Sequence, residues 1–256
     1  MNLERAKKGD VSALTALWQA CFGDTEAEVQ RFWDAAFDKI QVFCAREGKK
    51  ILAMLCVLPT QLIDECGESR SCGYFYAVCT ASEARGKGLC TKLMQYAEKN
   101  CGCDYASLVP ASEELFAFYE KMGYRTVFYH EKYSVSAQKG AKITKASPEV
   151  YRSIRELQLY GDFISYEEWL LPLAGELYRI ETDEGVFCAC AVKQGNTLQI
   201  KELLPNEPKA AAALAAHLGC ECAEVRSDGG EQPFGMCKAL KKLPTPDRAY
   251  LALAFD

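Results

Sequence analysis

The chain has 256 residues, of which 49% are apolar, and its formal net charge is −5. This length and apolar content suffice for one or two hydrophobic cores, and the acidic balance gives no sign of a nucleic-acid partner. No apolar run reaches the length of about 18 residues that a membrane helix needs, and the first ten residues contain no secretory signal, so we expect a cytoplasmic protein without a membrane partner.

The first half of the chain alternates short strands with helices. Residues 2–6 are expected to form a strand, and Asp10 is expected to cap a helix over residues 11–22, whose apolar residues recur at helical spacing. Further helices are predicted from Asp24 or Thr25 to about Ala36, from about Gly88 to Asn100, and over residues 112–122. Strands are predicted over residues 40–47, 51–58, 105–109 and 124–136, and a hairpin over 61–80 that turns near Gly67.

The composition turns polar near residues 138–146, and we place a domain boundary there, between a domain of residues 1–137 and a second of residues 145–256. In the second half, helices are predicted over residues 147–160, 165–174 and 209–219. Strands are predicted over residues 176–183, 186–193, 197–204, 222–227, 233–240 and 249–255. This order repeats that of the first half, which predicts a duplicated α/β fold whose second copy has diverged.

The chain contains fourteen cysteines, and three pairs of them are two positions apart: Cys101/Cys103, Cys188/Cys190 and Cys220/Cys222. A zinc site needs Cys-x-x-Cys spacing or histidine partners; that spacing is absent, and His130 and His217 are the only histidines. Residues two apart share one face of a strand, which explains the second and third pairs as small core residues. We therefore expect reduced structural thiols and no metal.

The stretch "CTASEARGKGLCTKL", which begins at Cys79, places glycines and positive charge where a helix is about to begin. The first amides of a helix lack partners inside the helix and lie at the positive end of its dipole, so they can bind an anion. Gly86 and Gly88 give access to the backbone, and Arg85 and Lys87 add charge. The spacing matches neither the P-loop nor the dinucleotide fingerprint, and an ordinary tight turn is the alternative interpretation.

The pattern Arg85-x-x-Gly88-x-Cys90 follows a strand, and "FYEKMGY", which contains Tyr119, comes about thirty residues later. These motifs, in this order, resemble the GNAT superfamily of N-acetyltransferases over roughly residues 1–136. In that superfamily an Arg/Gln-x-x-Gly-x-Gly/Ala loop binds the pyrophosphate of acetyl-CoA, and a Tyr-x-x-x-Gly-Phe/Tyr segment carries a tyrosine that protonates the leaving thiolate. The resemblance implies a mixed α/β sheet with the GNAT acyl-CoA N-acyltransferase fold, followed here by a degenerate GNAT-like second domain.

The run "AVCTASEARGKGL" is most similar to two-domain bacterial acetyltransferases that resemble the enhanced intracellular survival proteins. This chain is shorter than theirs and has no room for their third, sterol-carrier-like domain. It also departs from the superfamily pattern at Cys90, where glycine or alanine is usual. The larger side chain implies that this amide approaches the phosphate less closely.

The resemblance implies acetyl-CoA as co-substrate and two surfaces that hold it. The backbone at one strand end would pair with the pantetheine arm: Val78, Cys79 and Thr80. The loop and the first helical turn would hold the pyrophosphate: Arg85, Gly86, Lys87, Gly88, Leu89, Cys90 and Thr91. Ser112 stands where many relatives have a cofactor-contacting asparagine, and a helix cap is its alternative role.

The resemblance assigns Tyr119 as the general acid, although its position also suits the buried face of a helix. The strand "YFYAVCT" contains no carboxylate that could act as the base, so Tyr74 or Tyr76 is a candidate to relay a proton through water. In the enhanced-intracellular-survival subgroup the terminal carboxylate takes the role of the base, which here would be that of Asp256.

The leading hypothesis is an acetyl-CoA-dependent N-acetyltransferase that acts on a primary amine of a small molecule or peptide in a ternary complex. The alternatives are a non-catalytic acyl-CoA-binding or regulatory module and a tandem-domain aminoacyl transferase that uses charged tRNA, against which the acidic charge argues. The corresponding junction of the second half reads "PNEP" at residues 205–208, where prolines remove amide donors and Glu207 repels phosphate. We therefore expect the second domain to line the acceptor pocket or to support a homodimer.

Overall fold

The computed structural model describes residues 1–255, which form twelve strands and seven α-helices. These residues divide into two compact units. The first unit consists of residues 1–61, 70–125 and 236–245, and the second of residues 62–69, 126–235 and the segment that begins at Pro246. A short segment from near the end of the chain thus belongs to the first unit.

The first unit contains a mixed sheet and four helices. Its elements in chain order are β1 (Asn2–Arg5), α1 (Val11–Phe22), α2 (Glu26–Ala36), β2 (Gln41–Glu47), β3 (Lys50–Ile63), β4 (Ser69–Thr80), α3 (Leu89–Asn100), β5 (Tyr105–Leu108) and α4 (Glu113–Glu120). The strand order is β1-β2-β3-β4-β5, and residues 236–239, the end of the last strand, lie antiparallel beside β5. β1, β2 and β3 pair antiparallel, whereas β4 and β5 are parallel.

The boundaries of the first two helices follow from local sequence. α1 buries Leu14 and Trp18, which are four residues apart on one helix face, and ends at Gly23, whose φ of +82° is left-handed. α2 begins after Thr25, whose hydroxyl accepts the amide N–H of Glu28 at 3.3 Å. The Glu28 carboxylate in turn accepts the amide N–H of Thr25 at 2.9 Å, so two amides at the helix start are satisfied reciprocally.

Asp10 precedes α1 but does not cap it with its side chain. Its carboxylate accepts the amide N–H of Lys7 at 2.8 Å and pairs with Arg46 at 2.7 Å. The bond from Lys7 contributes most to holding the pKa of Asp10 below its usual range, and Arg46 adds to it. The prediction of a side-chain cap is therefore wrong, because charge-assisted partners take up the carboxylate.

The second unit also contains a mixed sheet. Its elements are β6 (Arg125–Ser136), β7 (Lys142–Lys145), α5 (Pro148–Gln158), β8 (Phe163–Tyr166), α6 (Leu171–Ala174), β9 (Glu176–Thr182), β10 (Gly185–Gln194), β11 (Thr197–Leu204), α7 (Pro208–His217) and β12 (Cys222–Ala239). The strand order is β12-β11-β10-β9-β7, with β6 beside β12. β11 and β12 are parallel, and the alanine-rich α7 between them packs into a core with Ile180, Leu198 and Ile200. A helix between two parallel neighbouring strands thus occurs in both units.

The helix predicted over residues 165–174 is mostly wrong. Ser165 and Tyr166 belong to β8, every residue of which is buried, and only the four residues of α6 are helical. Pro172 lies in the first turn of α6, where a missing N–H costs nothing, and it would break a longer helix that began upstream.

Three strand predictions of the second half also differ from the structure. The strands predicted over 222–227 and 233–240 are one strand, β12. At Gly230 a Cβ atom would lie 2.2 Å from the carbonyl oxygen of His130, so this glycine permits close strand contact with β6 and does not end β12. Residues 249–255 are buried but bridge to another strand only at Tyr250, so they do not form the predicted strand. β7 lies inside the segment 138–146 that was predicted to be a domain boundary.

Candidate active site

The sheet of the first unit opens between β4 and β5. The pairing of these parallel strands ends at Tyr74 opposite Ser107, whereas β4 continues to Thr80. Ala77 has a left-handed φ of +50°, and among residues 1–255 it is the one non-glycine residue with a positive φ. An alanine in this conformation costs about 1 kcal/mol. Residues 78–80 therefore follow a strained kink at the point where β5 no longer accompanies β4.

The loop from β4 to α3 depends on two left-handed glycines. Gly86 has a φ of +73° and Gly88 a φ of +69°. Both are exposed, and a Cβ atom on either would meet no atom within 4 Å. Glycine is therefore required here by the backbone conformation, and the space above the loop is open to a ligand.

The amide N–H groups at the start of α3 are free. The first backbone hydrogen bond of the helix runs from Lys92 N–H to the Gly88 carbonyl at 3.1 Å. The amides from Gly86 to Thr91 find no acceptor among residues 1–255. Unpaired donors at the positive end of a twelve-residue helix form a site for an anion.

The two cationic side chains of the loop brace it. Arg85 donates from Nε to the Thr80 carbonyl at 3.0 Å, and Lys87 donates from Nζ to the Glu83 carbonyl at 2.8 Å. Both side chains remain exposed, so their positive charge still acts at the helix start. The sequence predicted this charge but not that the same groups would fix the conformation of the loop.

A cleft of about 350 Å³ adjoins the loop within the first unit. Its walls are residues of α1, the turn between β2 and β3, and the loop itself: Ala13, Ala16, Leu17, Ala20, Cys21, Lys49, Lys50, Ile51, Ala81, Ser82, Glu83 and Arg85. The Cys21 thiol donates to the Thr80 carbonyl at 3.7 Å, which ties the end of α1 to the end of β4. The cleft is therefore apolar along α1 and cationic at its rim.

Tyr119 lies near the end of α4 and is 6% exposed. Its ring makes edge contacts with Phe118 and Tyr124, at centroid distances of 5.1 and 5.8 Å. Burial raises the pKa of Tyr119 above its usual range, and the Cys90 thiol adds to this rise. No residue between Met1 and Phe255 hydrogen-bonds the Tyr119 hydroxyl, so this group is neutral and its proton is not committed to a neighbour.

The thiols closest to this region are neutral as well. Burial raises the pKa of Cys90 to about 11. Burial also raises the pKa of Cys79, and the neighbouring Cys21 thiol adds to that rise. Neither Cys79 nor Cys90 is thus an activated nucleophile at neutral pH. At this end of β4 the backbone hydrogen-bonding groups are therefore the candidates to contact a substrate.

An aromatic cluster packs on β4 just before the kink. Trp18 lies at its centre, with ring centroids 5.1 Å from Phe32, 5.4 Å from Trp33 and 5.5 Å from Tyr76. The Trp18 indole donates from Nε1 to the Asp24 carboxylate at 2.6 Å. This aromatic face was not predicted, although Trp18, Phe32 and Trp33 on two consecutive predicted helices were a signal for it.

Ser112 and Asp256 are the remaining predicted site residues. Ser112 precedes α4, but its hydroxyl does not cap the helix; it hydrogen-bonds the Glu114 carboxylate and lowers the pKa of Glu114. Asp256, the candidate base, lies outside the described residues. Residues 249–255 before it are buried.

The described part of the chain also bears on metal binding and on membrane crossing. Among residues 1–255 no group of three cysteine, histidine or carboxylate side chains could hold a metal ion. No helix in this part of the chain combines the length and apolar character that crossing a membrane requires. All fourteen cysteines are free thiols.

The site has the features of an acyltransferase: an opened pair of parallel strands, a helix start with free amides, and a buried, neutral tyrosine beside that helix. The family comparison agrees, because a model of the GNAT acetyltransferase domain matches residues 2–127. Residues 2–127 therefore form a GNAT acetyltransferase domain. This confirms the resemblance that the loop and the Tyr119 segment indicated.

Solved structures extend the likeness over most of the chain. An N-acyltransferase-like protein from Enterococcus faecalis has a TM-score of 0.74 at 16% identity, over 93% of this chain and 72% of that chain. A GCN5-related N-acetyltransferase from Kribbella flavida has a TM-score of 0.68 at 16% identity, over 93% and 70%. Eis1 from Mycobacterium abscessus has a TM-score of 0.65 at 12% identity, over 94% and 74%. The predicted mixed α/β GNAT fold is thus confirmed. No curated protein matches the sequence.

Proposed function

We propose that the protein transfers the acetyl group of acetyl-CoA to a primary amine of a small molecule or a peptide, in a complex that holds both substrates. The observation that carries this proposal is the run of free amides from Gly86 to Thr91 beside the open end of β4. A pyrophosphate matches these amides in charge and in its need for several donors. The loop Arg85, Gly86, Lys87, Gly88, Leu89, Cys90 and Thr91 would hold it.

The pantetheine arm would lie along residues 78–80. These residues follow the kink at Ala77 and are not paired with β5, whose pairing with β4 ends at Tyr74. An extended amide chain can pair with such a backbone edge as an added strand does. Val78, Cys79 and Thr80 would then direct the thioester toward the kink, where a backbone N–H can stabilise the oxyanion.

In the reaction the amine nitrogen attacks the thioester carbon, a C–N bond forms, and the C–S bond breaks to release CoA thiolate. Tyr119 would donate its proton to that sulfur. The burial that keeps Tyr119 neutral also raises the basicity of a thiolate formed beside it, so the proton transfer remains close in energy. The attacking amine must lose a proton, and Asp256 stays the proposed acceptor of it.

The aromatic cluster around Trp18 supports an amine as the acceptor. Trp18 and Trp33 are buried within the cluster, so its partly exposed member Tyr76 is the ring that would face a cationic group. The exposed Asp24 carboxylate, which accepts from Trp18 Nε1, adds negative charge at the edge of the cluster. Tyr76 joins this cluster and directly precedes Ala77. An amine held there would lie next to the kink.

The second unit is proposed to bind no second acetyl-CoA. At the start of α7 the Glu207 carboxylate accepts the amide N–H of Lys209 at 3.0 Å, and Pro208 has no N–H to offer. The anion site that α3 leaves free is therefore occupied in α7 by the chain itself.

Calorimetric titration with acetyl-CoA and a screen of amines for release of free thiol test the proposal together. We expect one acetyl-CoA site per chain and thiol release that depends on an amine. Binding without thiol release for every amine class would support an acyl-CoA-binding module instead. Absence of binding would contradict the assigned donor site. Sedimentation of the same preparation tests the expected homodimer.

A further inference from the structure

One of the three Cys-x-Cys pairs lies in a turn. Cys188 and Cys190 are consecutive inward residues of the extended strand β10, and Cys220 and Cys222 lead into β12. Cys101 and Cys103 follow the end of α3, with Gly102 between them at a left-handed φ of +78°. The same spacing therefore occurs in two backbone conformations.

The turn brings the first pair within reach of a disulfide. Cys101 is helical, with φ of −74° and ψ of −23°, and the left-handed Gly102 reverses the chain after it. The Cys103 thiol lies 3.9 Å from the Cys101 carbonyl oxygen. Residues two apart span at most about 7 Å when extended, and a turn shortens this into the Cα separation of about 4.4–6.8 Å that disulfides require.

The extended pair fails the same criterion. In a strand the Cβ atoms of residues two apart lie about 6.5–7 Å from each other, whereas a disulfide requires about 3.5–4.5 Å. Cys188 and Cys190 are also fully buried, at 0% exposure each. This pair cannot close without breaking the ladders of β10.

The two thiols of the turn influence each other's ionisation. The Cys101 thiol donates to the Glu98 carbonyl at 3.7 Å and the Cys103 thiol to the Cys101 carbonyl at 3.9 Å. The neighbouring Cys103 side chain holds the pKa of Cys101 below the usual thiol range, while the pKa of Cys103 is raised. A thiol that ionises easily beside one that stays protonated is the arrangement of a redox-active dithiol. Cys101 is 7% exposed, Cys103 is half-buried and Gly102 is exposed, so a small reagent approaches the pair from the glycine side.

We propose that Cys101-Gly102-Cys103 is a redox-active dithiol that closes to an intramolecular disulfide by exchange with a small-molecule disulfide. The Cys101 thiolate attacks one sulfur of the reagent, whose S–S bond breaks and releases one thiolate, which takes up a proton. Cys103 then loses its proton to solvent and attacks the Cys101 sulfur, which expels the second reagent thiolate. Two protein thiols are oxidised and the reagent is reduced to two thiols. This proposal does not depend on the acetyltransferase assignment.

The test is to equilibrate the full chain in buffers of reduced and oxidised glutathione, quench it with acid, alkylate it after denaturation and analyse its peptides by mass spectrometry. We expect the peptide with Cys101 and Cys103 to carry neither alkyl label after oxidation. Its mass should be lower by two hydrogen atoms than that of the unlabelled dithiol peptide. The peptide with Cys188 and Cys190 is the internal control and should keep both labels. Retention of both labels on Cys101 and Cys103 in fully oxidised glutathione would overturn the proposal. Glutathione adducts without the internal bond, or a bond from either residue to another cysteine of the chain, would overturn it as well.

Single variants separate the dithiol from two independent thiols. Cys103→Ala removes the side chain that lowers the pKa of Cys101, so the native-state alkylation of Cys101 at pH 7 should slow, and oxidised glutathione should leave a stable mixed disulfide on Cys101. Cys222→Ala is the matched control and should leave the reactions of Cys101 and Cys103 unchanged. Unchanged alkylation of Cys101 in the Cys103→Ala protein would contradict the influence of Cys103 on Cys101.

Discussion

The phenol of Tyr119, near the end of α4, lies within the electrostatic reach of the Cys90 thiol in the first turn of α3. The helix that presents free amides to an anion thus begins next to the group proposed to protonate the leaving sulfur. Nothing in the intervening sequence fixes this proximity. It arises because β5 returns the chain parallel to β4, which places the starts of α3 and α4 at the same edge of the sheet, and because α4 is only eight residues long.

Tyr119→Phe tests the proton donor. The ring contacts with Phe118 and Tyr124 survive this change, so we expect the dissociation constant for acetyl-CoA to stay within about twofold. Turnover with an identified amine should fall by about 100-fold or more, the usual contribution of a general acid. Tyr129→Phe, in β6, is the control and should retain full turnover. Unchanged turnover in Tyr119→Phe would exclude the proton-donor role.

Gly88→Ala tests the anion loop. A left-handed alanine costs about 1 kcal/mol, and the strain would rotate the amides that follow. We expect a loss of about 1 kcal/mol in the free energy of unfolding and at least tenfold weaker binding of acetyl-CoA. Gly67→Ala is the matched control, because Gly67 has a φ of +80° with open space around it. It should lose the same stability with no change in binding; equal loss of binding in both variants would argue against the loop as the donor site.

The buried ion pair of the second unit should dominate its stability. Arg155 donates from Nε to the Glu202 carboxylate at 2.9 Å, with both side chains at most 1% exposed, and from Nη1 to the Ile164 carbonyl at 2.9 Å. Glu202→Gln leaves a buried, uncompensated arginine, so we expect about 3–5 kcal/mol less unfolding free energy. Asp38→Asn breaks the exposed pair with Lys8 and should cost less than about 1 kcal/mol. Urea titration measures both, and equal effects would contradict this account.

Stability should decline in mild alkali. Burial raises the pKa of Cys72 to about 11 and of Cys190 to about 12, and burial likewise raises the pKa of Cys237. A thiol in the unfolded chain ionises near pH 8.5, so the unfolded state releases protons that the folded state keeps. The stability these thiols contribute is complete below about pH 8.5 and is lost as the pH rises through the folded-state pKa values.

We therefore expect the free energy of unfolding, measured by urea titration under a reducing agent, to fall by at least about 1 kcal/mol between pH 8 and pH 9.5. Proton release on unfolding at pH 9, measured in a weakly buffered solution, is the independent readout. A flat profile over this interval would show that the buried thiols do not resist ionisation.

Much of the fold and part of the site could be predicted from the sequence. The helix starts at Thr25 and Gly88 were readable because capping residues and glycines act locally, and the family match confirms the GNAT domain that these signals indicated. The kink at Ala77 could not be read, because alanine has no preference for a left-handed φ and is held there by the surrounding sheet. The hydrogen bond by which Arg85 stabilises the loop could not be predicted either, because it depends on the orientation of the Thr80 carbonyl in the folded chain.

The errors in the second half have a common cause. The alternation of apolar and polar residues reveals a strand only when one of its faces is exposed to solvent. β8 is buried on both faces, so its residues do not alternate in this way. The strands predicted over 222–227 and 233–240 left Gly229 and Gly230 between them, yet Gly230 is a point of close strand contact. The local sequence could not show whether the glycines form a turn or a close strand contact, because the contact at Gly230 is made with His130 in the distant strand β6.

The last strand has a consequence for any attempt to divide the chain. Residues 236–239 of β12 occupy the edge beside β5 in the first unit. A truncated protein that stops after the first half would expose the hydrogen-bonding groups of β5 to water or to another molecule's strand. Such a fragment would aggregate or exchange strands, so the domain encoded first depends for its solubility on a stretch that is synthesised after β6 to β11.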